Sequence, residues 1–188
     1  MVIGVLALQG AFIEHERMIR SLGVDCIEIK KKEDLEHIDG IVLPGGESTV
    51  QGHLLKEYDI LKVLQDKIIR GLPVLATCAG LILLGQEIEG ESTYLGTLPV
   101  KIKRNAYGRQ LGSFVVNQTF HDHKVPLIFI RAPYISGMKQ DVQVLLEKDG
   151  SPVAVQYHNQ LAMAFHPELS DHNDFHKYFV EKIVKPSL

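Results

Sequence analysis

The sequence predicts an α/β fold of three layers, with a mostly parallel central sheet, helices on both of its faces and a nucleophile elbow. Two observations lead to this fold class. Short apolar runs typical of strands alternate with longer segments typical of helices through the first half of the chain, which favours parallel strands joined by helical crossovers. The run Pro73–Thr77 ends at Cys78 and is followed by the small residues Ala79 and Gly80, as a sharp strand-to-helix turn requires.

The individual elements follow from the spacing of apolar residues. A continuous apolar run such as Gly40–Leu43 predicts a buried strand, and the alternation in Asp25–Ile29 predicts a strand with one exposed face. The first half is predicted to contain strand Val2–Leu8, helix Ala11–Leu22, strands Asp25–Ile29 and Gly40–Leu43, helices Thr49–Glu57 and Ile60–Arg70, and strand Pro73–Thr77 with the helix that follows it. The second half is predicted to contain strands Val100–Arg104, Ser113–Gln118, Leu127–Arg131, Val142–Glu147, Val153–Tyr157 and Leu161–Phe165, and then helix Asp171–Val184.

Cys78 is the candidate nucleophile. A turn of this kind is crowded and strained, so it needs the small neighbours Ala79 and Gly80. It would also place the sulfur at the N-terminus of the following helix, where unpaired N–H groups and the helix dipole favour thiolate over thiol. The thiolate is the form that attacks carbonyl carbons, so the position suits covalent catalysis.

A general base for this nucleophile is predicted at His166. The apolar run Leu161–Phe165 predicts a buried strand that would bring His166 to the sheet edge where Cys78 lies, and Pro167 would end that strand. Glu168 could then fold back on the imidazole and fix its tautomer, as the third member of a catalytic triad does. An alternative interpretation makes Glu168 the N-cap of the last helix.

A third strand end carries the glycine-rich loop Pro44-Gly45-Gly46. Adjacent glycines let a backbone approach a ligand closely and direct N–H groups at a developing oxyanion. The loop alone is a weak indication, because it could be a tight turn only. Together with Cys78 and His166 it predicts that three strand ends converge on one acyl-transfer site, at the sheet edge where α/β proteins bind ligands.

Six motifs along the chain carry a family resemblance. They are Leu6-Ala7-Leu8-Gln9-Gly10-Ala11, Pro44-Gly45-Gly46-Glu47-Ser48-Thr49, Thr77-Cys78-Ala79-Gly80-Leu81, Arg104-Asn105-Ala106-Tyr107-Gly108-Arg109-Gln110, Phe129-Ile130-Arg131-Ala132-Pro133 and Phe165-His166-Pro167-Glu168-Leu169. The sequence thus resembles the class I (triad) glutamine amidotransferases, and within them the PdxT/SNO family of glutaminase subunits of pyridoxal 5'-phosphate synthase. The resemblance implies hydrolysis of L-glutamine to L-glutamate and ammonia. It also implies that the ammonia passes through a tunnel to a separate synthase (lyase) subunit that makes the vitamin B6 cofactor.

The resemblance also implies a role for each motif position. Cys78 would be the nucleophile, His166 the base and then the acid, and Glu168 the orienting carboxylate. The implied oxyanion donors are the backbone N–H groups of Gly46 and Ala79, and the implied glutamine contacts are Gly46, Glu47, Ser48, Arg104, Ile130 and Arg131. Gln9 would lie near the oxyanion loop and the partner surface. The chemistry requires no metal and no organic cofactor.

Two other functions remain open from the sequence. The chain could be a different Cys-His hydrolase on the same scaffold, such as a gamma-glutamyl hydrolase or the glutaminase of another pathway; Gln9-Gly10 and the stretch from Arg104 to Gln110 favour the vitamin B6 family. It could also be a silent interaction subunit, although the presence of all three triad residues disfavours that. Arg104 and Arg109 could be solvated charges and not ligands.

The remaining cysteine and histidines are assigned structural or surface roles. Cys26 alternates with polar residues in a strand and is predicted to be a core residue. His121 and His123 flank Asp122 in a polar stretch before Pro126 and are predicted to lie in a solvated loop. His172 and His176 are one helical turn apart and could form a zinc pair, but no glutamate follows His172 as in a zinc protease motif. We interpret both as surface or partner-facing residues.

Composition is consistent with one soluble domain spanning residues 1–188. The chain has 20 Lys and Arg residues against 23 Asp and Glu, a formal net charge of -3, so neither a nucleic-acid-binding patch nor a basic membrane-binding patch is indicated. No apolar run is long enough for a membrane span, and the N-terminus lacks the basic segment of a signal peptide. Two cysteines in different settings do not predict a disulfide framework. We expect a cytoplasmic protein.

Overall fold

A seven-stranded sheet forms the centre of the protein in the computed structural model, which describes residues 1–104 and 112–188. Residues 105–110, which carry part of the family resemblance, lie outside the described residues. The strands in chain order are β1 (Val2–Leu6), β2 (Asp25–Ile29), β3 (Gly40–Leu43), β4 (Val74–Thr77), β5 (Gly85–Ile88), β6 (Leu98–Lys103), β7 (Ser113–Phe120), β8 (His123–Ile130), β9 (Tyr134–Met138), β10 (Gln143–Lys148), β11 (Ser151–Tyr157) and β12 (Gln160–Met163). The α-helices are α1 (Phe12–Ser21), α2 (Ser48–Glu57), α3 (Ile60–Ile69), α4 (Ala79–Leu84) and α5 (Asp174–Tyr178).

The central sheet is mostly parallel, which confirms the predicted fold class. Its strand order is β10-β11-β12-β4-β3-β1-β2. Strands β12, β4, β3, β1 and β2 pair in parallel, whereas β10 and β11 join the edge as antiparallel strands. Strands β3 and β4, in the middle of the sheet, are continuous apolar sequences that are buried throughout because helices cover the sheet; β2, at its edge, alternates instead and exposes Asp25 and Glu28.

The helices lie on both faces because the chain winds outward from β1 in two directions. The connection through α1 moves from β1 to β2, and the connection through α2 and α3 moves the opposite way, from β3 to β4. Since such crossovers are right-handed, opposite directions place their helices on opposite faces of the sheet. Helix α1 contacts α5, and α2 contacts α3 and α4, in agreement with this division.

Two smaller sheets lie beside the central one. One has the order β5-β6-β9, and the other is the antiparallel pair β7–β8. The sequence did not predict β5 or β9, which are short and contain polar or small residues. Each is a strand because it pairs with β6. A 3-10 helix at Lys32–His37 was also not predicted.

The predicted C-terminal helix is shorter than expected and is not one regular helix. It begins at Asp174 and not at Asp171, because Ser170 Oγ donates to the Pro167 carbonyl and accepts the N–H of His172, which holds that segment in a turn. After α5 the chain continues as a π-helical segment, Phe179–Val184, and a 3-10 turn, Lys185–Ser187.

An aromatic cluster joins β7, β8, the residues after β12 and helix α5. The Phe129 and Phe165 rings are 5.7 Å apart and meet edge to face, Phe165 and Phe175 are 5.1 Å apart, and Phe120 stacks on Phe175 at 4.4 Å. Phe129, Phe165 and Phe175 are almost wholly buried. This packing fixes the backbone next to His166.

The turn after β4 has the strained strand-to-helix geometry of a nucleophile elbow. Cys78 has φ 47° and ψ -98°, a conformation that L residues adopt only when the surroundings hold them there. Its backbone N–H donates to the Met163 carbonyl at the end of β12, 2.9 Å away. Helix α4 then passes so close to β3 that a Cβ at Gly80 would overlap the Leu43 carbonyl oxygen.

In the described parts of the chain, the helices are all too short or too polar to cross a membrane.

We expect Gly80→Ala to lower the free energy of unfolding by about 1–3 kcal/mol, since the added methyl group forces α4 away from β3. Urea unfolding followed by circular dichroism measures the change. The matched control is Gly137→Ala in β9, whose Cβ would make an ordinary 3.6 Å contact with Lys101; it should leave stability nearly unchanged. Equal stability of the two variants would contradict the close approach at the elbow.

Candidate active site

A cavity of about 230 Å³ opens at the carboxyl ends of β3 and β4. Its lining residues are Gln9, Gly46, Glu47, Ser48, Cys78, Ile82, Arg104, Ile130, Arg131 and His166. Nine of these ten residues were predicted site residues. The other two predicted residues do not line the cavity: Ala79 follows Cys78 at the start of α4, and Glu168 contacts His166. Ile82 was not predicted, although it follows Cys78 by one helical turn and its spacing could have indicated it.

His166 and Glu168 form a buried pair beside the sulfur. Nδ1 of His166 lies 2.8 Å from Oε1 of Glu168, and the two residues are 7% and 4% exposed. The backbone N–H of His166 donates to the Ile128 carbonyl at 2.8 Å, so β8 supports the histidine from its other side. The N-cap interpretation of Glu168 is wrong, because the carboxylate binds His166 and α5 begins only at Asp174.

The charge state of His166 follows from this arrangement. Burial alone lowers the pKa of the imidazole, but its hydrogen bonds to Cys78 and Glu168 and its attraction to both groups raise the pKa to about 10. Because Nδ1 faces Glu168, the ring presents Nε2 to the Cys78 sulfur. The protonated ring therefore directs an N–H at the Cys78 sulfur, whose thiol group also contacts the Ile130 carbonyl oxygen at 3.8 Å.

The glycine-rich loop packs directly on the histidine. A Cβ at Gly45 would lie 2.7 Å from Nδ1 of His166 and would overlap the ring carbon beside it. The Gly45 carbonyl accepts the backbone N–H of Ala11 at 3.0 Å, which ties the loop to the segment after β1. Gln9 Oε1 accepts the N–H of Glu47 at 2.8 Å. The glycines therefore do more than make a turn, because they allow the loop to lie against the imidazole.

The two predicted oxyanion donors, Gly46 and Ala79, belong to the cavity loop and to the helix that begins after Cys78. Ala79 is the first residue of α4, so its backbone N–H takes no part in the hydrogen bonding of that helix. Gly46 lines the cavity together with Cys78 and has φ 155°, a value that favours glycine.

Two ion pairs form the charged rim of the cavity. Arg131 Nη2 lies 3.2 Å from Glu47 Oε1. Arg104 Nη1 lies 2.8 Å from Glu91 Oε2 and 3.1 Å from the Thr49 hydroxyl. Arg104 is thus held at the rim and is not a freely solvated charge. Glu91 was not predicted, and no motif marks it.

Three of the histidines outside the cavity have polar or exposed surroundings. His121 lies in the turn between β7 and β8 with φ 51°, and His123 is already in β8, with Nδ1 2.6 Å from Asp174 Oδ1. His172 is exposed and precedes α5. Among residues 1–104 and 112–188, no three His, Cys, Asp or Glu side chains are grouped as metal ligands would be.

The prediction that His176 lies at the surface is wrong. His176 is fully buried, and its Nε2 is 2.8 Å from Nδ1 of His15, which is fully buried too. Nε2 of His15 lies 3.1 Å from the Thr77 hydroxyl. Burial, and for His15 the neighbouring histidines, lower both pKa values, that of His176 to about 3, so both rings are neutral. His15 shares a face of α1 with Ile19, and this spacing could have indicated its burial.

Cys26 is buried, as predicted. Burial is the main cause that raises the pKa of its thiol to about 12. It is therefore a packing residue whose thiol stays protonated near neutral pH.

The family model described as the SNO glutamine amidotransferase family matches residues 5–185. The pyridoxal 5'-phosphate synthase subunit PdxT of Desulfitobacterium hafniense (strain DSM 10664 / DCB-2) is 53% identical, over 97% of this chain and 94% of the relative. The protein of the same description from Carboxydothermus hydrogenoformans is 47% identical, over 98% and 99%. A crystal structure of a glutamine amidotransferase superimposes with a TM-score of 0.92 at 40% identity, covering 96% of this chain and 98% of that one.

The free energy of unfolding should fall by about 1–2 kcal/mol between pH 7 and pH 5.5. His15 and His176 stay neutral in the folded chain, whereas an unfolded histidine with a pKa of about 6.5 takes up a proton, so each costs about 1.4 kcal/mol per pH unit below that value. His166 acts in the opposite sense: its raised pKa contributes stability that is fully present below about pH 6.5 and is lost as pH rises towards 10. The two buried rings outweigh the one protonated ring.

Urea unfolding at the two pH values measures this difference. The exposed-residue variants His53→Gln and His172→Gln should show the same pH dependence as the unmodified chain. A chain that is equally stable or more stable at pH 5.5 would contradict the neutral state of the buried pair.

Proposed function

The chain belongs to the SNO glutamine amidotransferase family, and from this premise we propose that it is the glutaminase subunit of a pyridoxal 5'-phosphate synthase, hydrolysing L-glutamine through a Cys78-His166-Glu168 triad. The observation that carries the triad is the buried 2.8 Å contact between His166 and Glu168, with His166 and the strained Cys78 lining one cavity. The reaction releases L-glutamate and ammonia.

In the first half of the reaction, Cys78 Sγ attacks the side-chain amide carbon of glutamine. The electron pair of the C=O bond moves to the oxygen, and the backbone N–H groups of Ala79 and Gly46 stabilise that charge. Loss of one such donor typically costs about 100- to 1,000-fold in rate. His166 then gives its Nε2 proton to the amide nitrogen, the C–N bond breaks, and ammonia leaves a glutamyl thioester on Cys78.

In the second half, water completes the hydrolysis. His166, now neutral, takes a proton from water as the oxygen attacks the thioester carbonyl, and collapse of the intermediate expels the Cys78 thiolate and frees glutamate. Glu168 holds the ring in one tautomer and stabilises the imidazolium in both halves. The chain's own residues are sufficient for each step.

The rim charges suit free glutamine. The amino acid carries an ammonium and a carboxylate, so it calls for one acidic and one basic partner. Glu47 supplies the acid, and Arg131 and Arg104 supply cations at the same cavity. The existing Glu47–Arg131 pair at 3.2 Å would open to exchange its partners for the two charged groups of the substrate, with Ser48 and Ile130 completing the contact.

The partner is a pyridoxal 5'-phosphate synthase (lyase) subunit, and the proposal rests on relatives of nearly full length that carry the description of subunit PdxT. Gln9 accepts a hydrogen bond from the backbone N–H of Glu47, next to the oxyanion loop, so a partner that docks near Gln9 would act directly on the oxyanion donors.

We infer that residues 1–188 work as one glutaminase domain, since Phe179 and Val184 near the C-terminus pack beside Gly40 in the sheet. Two free cysteines suit a reducing cytoplasm.

A silent interaction subunit is the second candidate function. The buried pair of His166 and Glu168 disfavours it, because burying a carboxylate has a desolvation cost that an inactive site need not bear.

Glutamate release from L-glutamine is the first test. We expect release by the chain in complex with the synthase subunit and loss of at least 1,000-fold in Cys78→Ala, which removes the nucleophile. Cys26→Ala is the matched control and should retain full activity. If the two subunits bind each other yet no glutamate forms, the triad proposal fails and the silent-subunit function takes its place.

Glu47→Gln should raise KM for glutamine by about tenfold or more, because a hydrogen bond to a charged group contributes about 1.5–3 kcal/mol, while kcat stays within about threefold. Steady-state kinetics of the complex separate the two constants. Glu87→Gln, which breaks the exposed pair with Lys101, is the matched control. A fall in kcat at unchanged KM would show that Glu47 does not bind the substrate.

A further inference from the structure

One oxygen of the Glu168 carboxylate, Oε2, takes no part in the contact with His166. Oε1 faces His166, whereas Oε2 is buried, and no residue in the described part of the chain makes a regular hydrogen bond to it. The nearest ring nitrogen is Nε2 of His15, 3.5 Å away, and neither side chain is exposed to solvent. A buried carboxylate oxygen without a donor is costly, so the proton positions on His15 decide how well Glu168 is supported.

Two tautomeric arrangements of the His15–His176 pair are possible across their 2.8 Å contact. If His15 Nδ1 carries the proton and donates to His176, then His15 turns a bare lone pair towards the Glu168 carboxylate. His176 must then carry its own proton on Nδ1, where no residue among those described accepts it. This arrangement leaves a buried N–H without an acceptor and sets a lone pair against an anion.

The opposite arrangement avoids both penalties. His176 donates its Nε2 proton to Nδ1 of His15, and His15 directs its own Nε2–H between the Thr77 hydroxyl at 3.1 Å and Glu168 Oε2 at 3.5 Å. The atom then left without a partner is an unprotonated nitrogen of His176, which is less costly to bury than an unpaired N–H group. The second arrangement is therefore favoured.

We propose that His15 is a positioning residue for the triad: its Nε2–H holds the outer oxygen of Glu168, and His176 fixes the tautomer that makes this possible. Oε1 of Glu168 then faces the His166 ring and Oε2 faces the His15 N–H, so rotation of the carboxylate away from His166 is opposed. Helix α1 also contacts the turn Pro167–Leu169, so its packing supports the same contact.

The titratable groups facing His15 are His176, Glu168 and, further away, His166. A neutral N–H donor suits this place, because it can support the carboxylate without adding a second positive charge beside the His166 imidazolium. The proposal rests on the proposed triad, since a positioning role has meaning only if Glu168 orients a catalytic histidine.

Two substitutions at one position separate hydrogen bonding from packing. His15→Leu removes the donor and keeps similar bulk, and His15→Gln keeps an N–H near the place of Nε2. We expect His15→Leu to lower kcat for glutamine hydrolysis by about 10- to 100-fold, as loss of an outer-shell partner does elsewhere, with little change in KM. His15→Gln should recover most of the rate, and His53→Leu at an exposed site should change nothing.

The pH dependence of Cys78 alkylation by iodoacetamide supplies a readout that needs neither the partner nor turnover. In a Cys26→Ala background, the profile of His15→Leu should move towards that of Glu168→Gln, whereas His15→Gln should keep the profile of the unmodified chain. If the folded His15→Leu variant keeps both its kcat and its profile, or if Leu and Gln lose activity equally with unchanged profiles, the proposal is overturned.

Nitrogen-15 NMR of histidine-labelled chain tests the tautomer without any substitution. A proton on Nε2 of His15, with Nδ1 bare, is expected, and a proton on Nδ1 would overturn the proposal even if a variant fails to fold. Failure of the proposed glutaminase function can be distinguished from failure of the His15 proposal. In the first case the unmodified complex would release no glutamate, while the alkylation profiles and the tautomer would still report on His15.

Discussion

The strained backbone of Cys78 is the constraint on which the rest of the structure depends. Its φ of 47° persists because the parallel strands on both sides hold it: β12 accepts the Cys78 N–H through Met163, and β3 receives α4 at Gly80. Strain of this size survives only where the surrounding structure over-determines the position. The sheet order therefore fixes where the sulfur points and places the Gly45-Gly46 loop and His166 on the two flanking strand ends.

Electrostatics around the sulfur is arranged in successive layers of buried groups. The His166 imidazolium stands between the thiol and the Glu168 carboxylate, and the neutral His15–His176 pair stands behind the carboxylate. Burial alone would neutralise an ionised group, so each charge persists because an opposite charge or a donor lies next to it. The burial that strengthens the contact between His166 and Glu168 also keeps His15 and His176 neutral. The stability of the fold therefore depends on pH.

The rim of the cavity differs from this buried centre. Its ion pairs, Glu47 with Arg131 and Arg104 with Glu91, are partly exposed, so they contribute little to stability and can exchange partners at small cost. That difference suits the proposed reaction, in which the centre stays fixed during covalent chemistry and the rim opens for a charged amino acid. The loop that carries Glu47 is hydrogen-bonded to Gln9 and Ala11, in the segment that follows β1.

Much of this protein was determined by local sequence. The continuous apolar runs and the small residues after Cys78 predicted the parallel sheet and the elbow, because strand burial and a crowded turn impose their requirements on a few neighbouring residues. The short strands β5 and β9, the late start of α5 and the pairing of Arg104 with Glu91 could not be predicted in the same way. The burial of His176 against His15 could not be predicted either, because the sequence indicated a surface residue at that position. Each of these depends on a partner distant in sequence, and only the tertiary structure decides which distant groups meet and exclude water.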